Sequence, residues 1–504
     1  MTEAVWLAIA LDRAASRSLA TQIYEAIRAR VLDGRAPPGT CLPSTRAFAA
    51  ELGVARATVV TAYEQLAAEG HIAARPGAAA RVCAPFVPAA DLAASSRILP
   101  RSLPRGLPDP GPRAPKPPNY PGAPDLRLFP HRAWGRALAS VWKVREPGQF
   151  EPADDGGSFR LRRAIAAHLA EWRGFAPDAE SVLITAGAAG AIELTLDALT
   201  RPGDGVILEN PAYPATRELV THRGRRLLSV PVDAEGLETD HLPTPARGIG
   251  LAVVTPSHQF PLGSTLSPRR RGALLAWAAT GGIPLVEDDF DSEFRYTGPA
   301  PPPLASQAGG AEVIYIGSFS KIFTAGLRLG FVVPPPSLLP LFVETLRRLG
   351  TRASLLAQAP LAAFIETGDF ARHLRRMRRA YGERRRVLLT EMSETIGADW
   401  LIPAEKAAGM HLLLRFGPRL MGLGGMEAGG MAAAQGGADG RAVGMRDLPL
   451  AGRLRAAGLP VAALSPYYAE PMTASQGLLF GFAAARPEEL RAMACDLRHR
   501  LDAG

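Results

Sequence analysis

Residues 100–124, "PRSLPRGLPDPGPRAPKPPNYPGAP", divide this chain into two parts that must fold separately. Proline fixes φ and has no amide hydrogen, so a stretch this crowded with it suits neither a helix nor the inside of a sheet. Such segments are extended and semi-rigid, which makes residues 84–124 a linker. It is a basic linker. Within the quoted stretch Arg101, Arg105, Arg113 and Lys116 face a single acid, Asp109, and Arg97 stands just ahead of it. At 504 residues the chain is also too long for one ordinary core.

Before the linker, residues 1–83 carry three helical patterns. "SLATQIYEAIRARVLDG" repeats apolar residues at three- and four-residue spacing and stops at Gly34. "LPSTRAFAAELGV" starts a second helix near Pro43 and Ser44, and "ARATVVTAYEQLAAEG" forms a third that ends at Gly70. "HIAARPGAAARVC" reads as two short strands around a turn at Pro76 and Gly77. Beyond the linker, residues 125–504 alternate. "VLITAG", "GVILEN", "GLAVVTP", "IPLVEDD" and "VIYIGS" are short β-rich runs, each followed by helical or loop sequence. That alternation predicts an α/β fold with a mostly parallel sheet covered by helices. The exception is "GLGGMEAGGMAAAQGGADG" (422–440), a glycine-rich tract without periodicity, read as a low-complexity insertion around 420–445.

Charge and cysteine usage narrow the setting. A net charge of +9 suits an acidic partner, though it is spread thinly. Cys41, Cys83 and Cys495 are far apart with no CxxC pair, which argues against a disulfide framework or a metal site and for the cytoplasm. The opening "MTEAVWLAIALDR" has an acid ahead of its apolar run and no basic n-region, so it makes a poor signal peptide. No apolar run approaches the roughly 20 residues a bilayer span needs, and no membrane partner is expected.

Helix, helix, turn, helix and a two-stranded wing form a winged helix-turn-helix, whose third helix enters the DNA major groove. Ser44 and Arg46 begin the second helix, Arg56 and Thr58 begin the third, and Arg75 and Gly77 occupy the wing tip. Arginine suits bidentate contact with guanine or phosphate, and glycine permits close approach. The stretch from 42 to 77 resembles the DNA-binding head of the GntR family of bacterial regulators, in register over nearly all of residues 18–83. The resemblance implies double-stranded operator DNA as partner. Two departures remove donors: Ala55 and Ala57 flank Arg56, and "GAAAR" replaces the usual glycine-serine-glycine wing.

"GSFSKIFTAGLRLG" (317–330) holds one of only four lysines in the chain, Lys321. Pyridoxal 5'-phosphate chemistry needs such an amine, an acid for the pyridine nitrogen and donors for a dianionic phosphate. Asp288 ends the apolar strand "IPLVEDD", where α/β sheets bind ligands. Arg328, Ser318 and Ser320 could hold the phosphate, together with backbone amides of Gly187 and Ala188 at a helix start in "TAGAAGAIEL". Tyr213 of "ENPAYP" could stack on the ring, and His258 and Gln259 of "SHQFPLG" could touch the ring hydroxyl or only shape their loop.

Residues 125–500 resemble the fold-type I aminotransferases. On that resemblance Lys321 falls on the Schiff-base lysine, Asp288 on the pyridine-nitrogen aspartate, Tyr213 on the stacking aromatic and Arg328 on the phosphate arginine. With the GntR-type head, the whole resembles the MocR type of transcription factor, in which the aminotransferase-like body senses the cofactor or an amino compound. The departures bear on activity. Phe290 and Phe150 stand where tyrosines are usual, and Ala186 and Ala188 lack hydroxyls. Leu479 of "GLLFGFA" replaces the arginine that clamps a substrate's α-carboxylate, a contact worth roughly 1.5–3 kcal/mol.

The expectation is a pyridoxal phosphate-dependent, homodimeric transcriptional regulator responding to a small amino compound, without efficient turnover of amino acids. Its rivals are an active aminotransferase with an accessory head, and a cofactor-free regulator that uses the body only to dimerise.

Overall fold

The computed structural model describes residues 9–73, 79–83, 120–143, 154–350, 353–404, 407–422, 446–471 and 475–503. Arg75, Gly77, Phe150 and the glycine-rich residues 423–445 lie outside the described residues. The chain falls into two compact units, residues 1–113 and 114–504.

In the first unit, α1 (Leu19–Leu32), α2 (Thr45–Leu52) and α3 (Arg56–Ala68) precede β1 (Ile72–Ala73) and β2 (Arg81–Val82). The helix boundaries have local causes. Ser18 Oγ accepts from the Thr21 amide at 3.1 Å and Ser44 Oγ from the Ala47 amide at 3.2 Å, satisfying donors that a helix start leaves unpaired. The α2 helix stops at Gly53, whose φ of 63° turns the chain toward α3. Ile23, Ile27, Phe48, Val59, Leu66 and Val82 close one core, and the strands pair antiparallel with Ile72 opposite Val82. This is a helix-turn-helix with a small wing.

The second unit is built on eight strands in the order β3-β10-β9-β8-β7-β4-β5-β6. They are β3 (Leu183–Thr185), β4 (Gly205–Asn210), β5 (Arg226–Asp233), β6 (Gly236–Leu237), β7 (Ile249–Val254), β8 (Leu285–Asp289), β9 (Val313–Ser318) and β10 (Gly330–Val333). Neighbours from β9 through β5 run parallel, whereas β10 is antiparallel to both β3 and β9, and β6 to β5. The long helices of this unit are α4 (His131–Trp142), α5 (Phe159–Arg173), α6 (Gly187–Leu199), α7 (Pro214–His222), α8 (Pro268–Gly281), α9 (Leu339–Leu349), α10 (Leu355–Glu366), α11 (Asp369–Glu391), α12 (Asp447–Ala456) and α13 (Pro487–Ala503).

Both faces of the sheet are covered. Leu208, Val253, Val286 and Ile316 pack with Leu196 of α6 and Phe342 of α9, while Ile207, Ala252, Leu285 and Val313 pack with Leu274 and Ala278 of α8. Burial on both faces is why these strands read as continuous apolar runs. A second, antiparallel sheet follows, ordered β11-β12-β14-β13, from β11 (Leu401–Pro403), β12 (His411–Phe416), β13 (Ala462–Ala463) and β14 (Gly477–Gly481). The last residues of the proline-rich stretch, 120–124, pack on this unit, with Pro121 and Gly122 buried. No described helix is long and apolar enough to cross a membrane.

Candidate functional site

Strands β4, β7, β8 and β9 are adjacent and parallel, so their C-terminal ends open on one edge of the sheet. From that edge project Tyr213 after β4, the 257–263 loop after β7, Asp288 at the end of β8, and Ser318 with Lys321 after β9. Such an edge is where open α/β sheets place ligands.

Lys321 and Asp288 face a common space. Lys321 Nζ donates to the Gly122 carbonyl at 2.9 Å. A Cβ at Gly122 would come within 2.7 Å of that nitrogen, and its φ of 74° is itself a glycine conformation. Asp288 Oδ1 is buried and finds no hydrogen-bond partner among the described residues. Burial first, then the neighbouring carboxylates of Asp289, Glu209 and Asp291, push Asp288 up to about 7, while Lys321 acts in the opposite sense. An orphaned carboxylate beside an amine is the donor set that a protonated pyridine nitrogen and an aldehyde require.

Donors for a phosphate gather on the same edge. Ser318 Oγ and Ser320 Oγ lie 3.1 Å apart, and the Ser320 amide donates to Ser318 Oγ at 3.2 Å. The Arg328 side chain is exposed and makes no hydrogen bond or ion pair among the described residues. Its φ of 51° makes it the one non-glycine residue with positive φ among those described, a strained conformation of the sort found at ligand sites. Gly187 opens α6 with φ of 84°, and a Cβ at Gly330 would strike its backbone at 2.8 Å. Ala188 follows on the first turn. The residues present fit pyridoxal phosphate.

The 257–263 loop divides its labour. The Gln259 side chain is engaged by backbone of its own loop and of the turn after β4: its amide nitrogen donates to the carbonyls of Pro211 and Phe260, each at 2.8 Å, and its oxygen accepts from the Leu262 amide at 3.1 Å. His258 Nδ1 hydrogen-bonds Asp291 at 3.0 Å. Both therefore shape the loop. Below them, Arg173 joins Asp289 (3.0 Å), Ser257 (2.9 Å) and the Pro301 carbonyl (3.2 Å), so a single buried guanidinium ties three segments of the site's floor.

Phe260 is the hub of an aromatic wall. Its ring centroid lies 5.5 Å from Tyr213, 5.8 Å from Phe290, 5.2 Å from His411 and 5.4 Å from Tyr467. His411 donates from Nε2 to the Pro261 carbonyl at 3.0 Å, and burial, then His258, lowers it to about 4. It is therefore uncharged at neutral pH. Leu479 is fully buried in β14, opposite Leu413 of β12, in an apolar cluster with Leu262 and Leu464.

Gly122, Glu209, Arg173, His411 and Tyr467 were not singled out from the sequence. Tyr467 and His411 reach the site across some two hundred residues through the second sheet, a distance no local pattern spans. Glu209, beside Pro211 in "ENPAYP", carries the only local signal: a buried acid at a strand end.

In the first unit, Ser44 caps α2 and is exposed with Arg46 and Arg56, while Thr58 is half-buried. Arg56 Nε donates weakly to Thr45 Oγ1 at 3.3 Å, and Arg46 has no partner among the described residues. Ala55 leaves the start of α3 without a side-chain cap.

A helix-turn-helix head and an aminotransferase-type body define a class of bacterial regulators, and the comparisons agree. Residues 19–82 match the family of bacterial regulatory proteins of the gntR type, and residues 140–432 match aminotransferase class I and II. The chain belongs to the MocR type of GntR-family transcriptional regulators. It is 36% identical over 424 residues to a probable rhizopine catabolism regulatory protein, MocR, of Rhizobium meliloti, covering 81% of this chain and 84% of the relative. It is 34% identical over 385 residues to the pyridoxine biosynthesis regulator PdxR of Corynebacterium glutamicum (76% and 80%), and 38% over 398 residues to TauR of Rhodobacter capsulatus (74% and 79%). Among solved structures, an archaeal alanine:glyoxylate aminotransferase shares the fold at TM-score 0.64 and 23% identity, over 76% of this chain and 90% of that one. The α-aminoadipate aminotransferase LysN of Thermus thermophilus, complexed with N-(5'-phosphopyridoxyl)-L-leucine, does so at TM-score 0.63 and 25% identity, over 76% and 91%.

Proposed function

We propose that this protein is a cytoplasmic transcriptional regulator whose body binds pyridoxal 5'-phosphate and senses it or a small amino compound, while its head holds operator DNA. The observation that carries this reading is the orphaned, buried Asp288 carboxylate beside Lys321 on the ligand-binding edge of the sheet. Bound there, the cofactor would supply a carbonyl carbon able to combine with primary amines. Lys321 would hold it through Nζ, Asp288 would accept from the ring nitrogen, and Tyr213 would cover the ring. Arg328, Ser318, Ser320 and the amides of Gly187 and Ala188 would hold its phosphate. His258 and Gln259 would fix the loop that frames it. A regulatory ligand must bind two states of the protein unequally, and occupancy of this site is the proposed bias.

Fold-type I sites and winged-helix heads both favour a homodimer. Leu126, Trp142, Phe159 and Leu356, exposed on the body, supply apolar surface of the kind an interface uses. On the DNA, Arg46 and Arg56 would contact phosphate or base edges from α2 and α3, with Ser44 and Thr58 beside them. Arg75 and Gly77 are assigned the wing contacts on sequence alone.

The test is the visible absorption spectrum of the full chain with added pyridoxal phosphate, beside Lys321→Ala. A red-shifted band that borohydride traps, absent from the variant, is the expected result. Absence of the band from both proteins would reduce the body to a dimerisation scaffold. For the head, Arg56→Ala should weaken binding to a duplex selected from random sequence about tenfold and lower the salt slope by about one.

A further inference from the structure

Resting on that reading, we infer the class of compound the body senses: a primary amine on an apolar, aromatic-sized frame that carries no carboxylate. Through Tyr467, the Phe260 wall is backed by a neutral, apolar cluster of the second sheet. Leu479 is fully buried and pairs with Leu413, and Leu262 and Leu464 complete the cluster, so no charge stands on this stretch of β14. Phe260, Phe290, Tyr213 and Tyr467 form the wall in front of it. His411, the titratable ring in that wall, is held uncharged by burial, and burial keeps the phenols of Tyr213 and Tyr467 protonated.

An arginine packed behind the wall is not free to replace the missing clamp. Arg217 of α7 donates to three backbone carbonyls, those of Pro466 (2.9 Å), Tyr467 (3.2 Å) and Tyr468 (2.7 Å). Arg415 lies two residues beyond Leu413 on β12 and is exposed, near the Tyr468 phenol. Meanwhile the floor holds four acids, Asp288, Glu209, Asp289 and Asp291, together with the Arg173 guanidinium that pairs with Asp289. A ligand carboxylate would meet apolar surface ahead and acids below, and an ammonium group would be drawn in. An aromatic frame would bury its faces against the Phe260 wall.

The experiment uses the full chain loaded with pyridoxal phosphate and freed of unbound cofactor. It is titrated with 2-phenylethylamine and, separately, with L-phenylalanine, the same frame with a carboxylate. Half-saturation is read from the cofactor band and, independently, from the rise in melting temperature. We expect the amine to saturate at a concentration about thirtyfold lower or more, and Leu479→Arg to narrow or reverse that ratio. The wild-type ratio decides the matter even where the variant does not fold. A loaded protein that ignores the amine, or takes phenylalanine equally well, overturns the selectivity alone. A protein with no cofactor band before any amine is added overturns both this inference and the reading it rests on.

Discussion

The two ends of the body's pocket were built under different rules. At the Lys321 end, polar groups stand unsatisfied by the protein itself: Asp288 Oδ1 is buried without a partner and Arg328 is strained and unpaired among the described residues. At the Leu479 end nothing is left wanting, because Leu479, Leu413, Leu262 and Leu464 satisfy one another and Arg217 is fully committed to carbonyls. Unsatisfied polar groups in a folded protein imply a ligand, whereas a self-satisfied apolar corner implies indifference to charge. The difference teaches that holding a cofactor and recognising an amino acid are separable properties of this fold.

The sharpest way to break that contrast is at Asp288. Asp288→Asn should weaken pyridoxal phosphate binding by roughly ten- to a hundredfold, measured by equilibrium dialysis, since a charge-assisted contact is replaced by a neutral one. The same variant carries a pH signature. Folded Asp288 titrates at about 7 against an ordinary 3.8, so between those values the folded state holds the extra proton and loses stability as pH rises. Without cofactor, Asp288→Asn should therefore melt above the wild type at pH 8, and the gap should close as pH falls toward 4. A gap that widened on acidification would remove Asp288 as the source.

Arg328→Ala should cost about tenfold in cofactor affinity, with the loss shrinking at high salt because the side chain is exposed. Phe290→Tyr works in the opposite direction. A hydroxyl there restores one neutral hydrogen bond to the cofactor and should tighten binding by about three- to tenfold. No change would mean that the ring's oxygen lies elsewhere. The smallest effect belongs to the apolar end. Arg217→Met strands three carbonyls and should lower the melting temperature by a few degrees while leaving the cofactor band intact.

Legibility from sequence followed the same divide. The head was readable because its helices, caps and wing are local, and Ser44 and Gly70 mark boundaries that the structure keeps. In the body, strand runs and the lysine's surroundings were enough to set Lys321 and Asp288 at one edge, since parallel strands deliver their C-terminal ends together. Gly122 was hidden by composition: it sits in a proline-rich stretch that reads as linker, yet it packs against the lysine. Gln259 was ambiguous because one side chain can serve a ligand or its own loop, and only the hydrogen-bond partners separate the two. The Phe260 wall was invisible for a different reason. Its members come from five places in the chain, and an aromatic residue announces burial rather than partners.

The bond from Lys321 to the Gly122 carbonyl has a mechanical corollary. The amine that would carry the cofactor also acts as a cleat for the last residues of the proline-rich stretch. When that nitrogen is drawn elsewhere, the carbonyl at 122 loses its mooring.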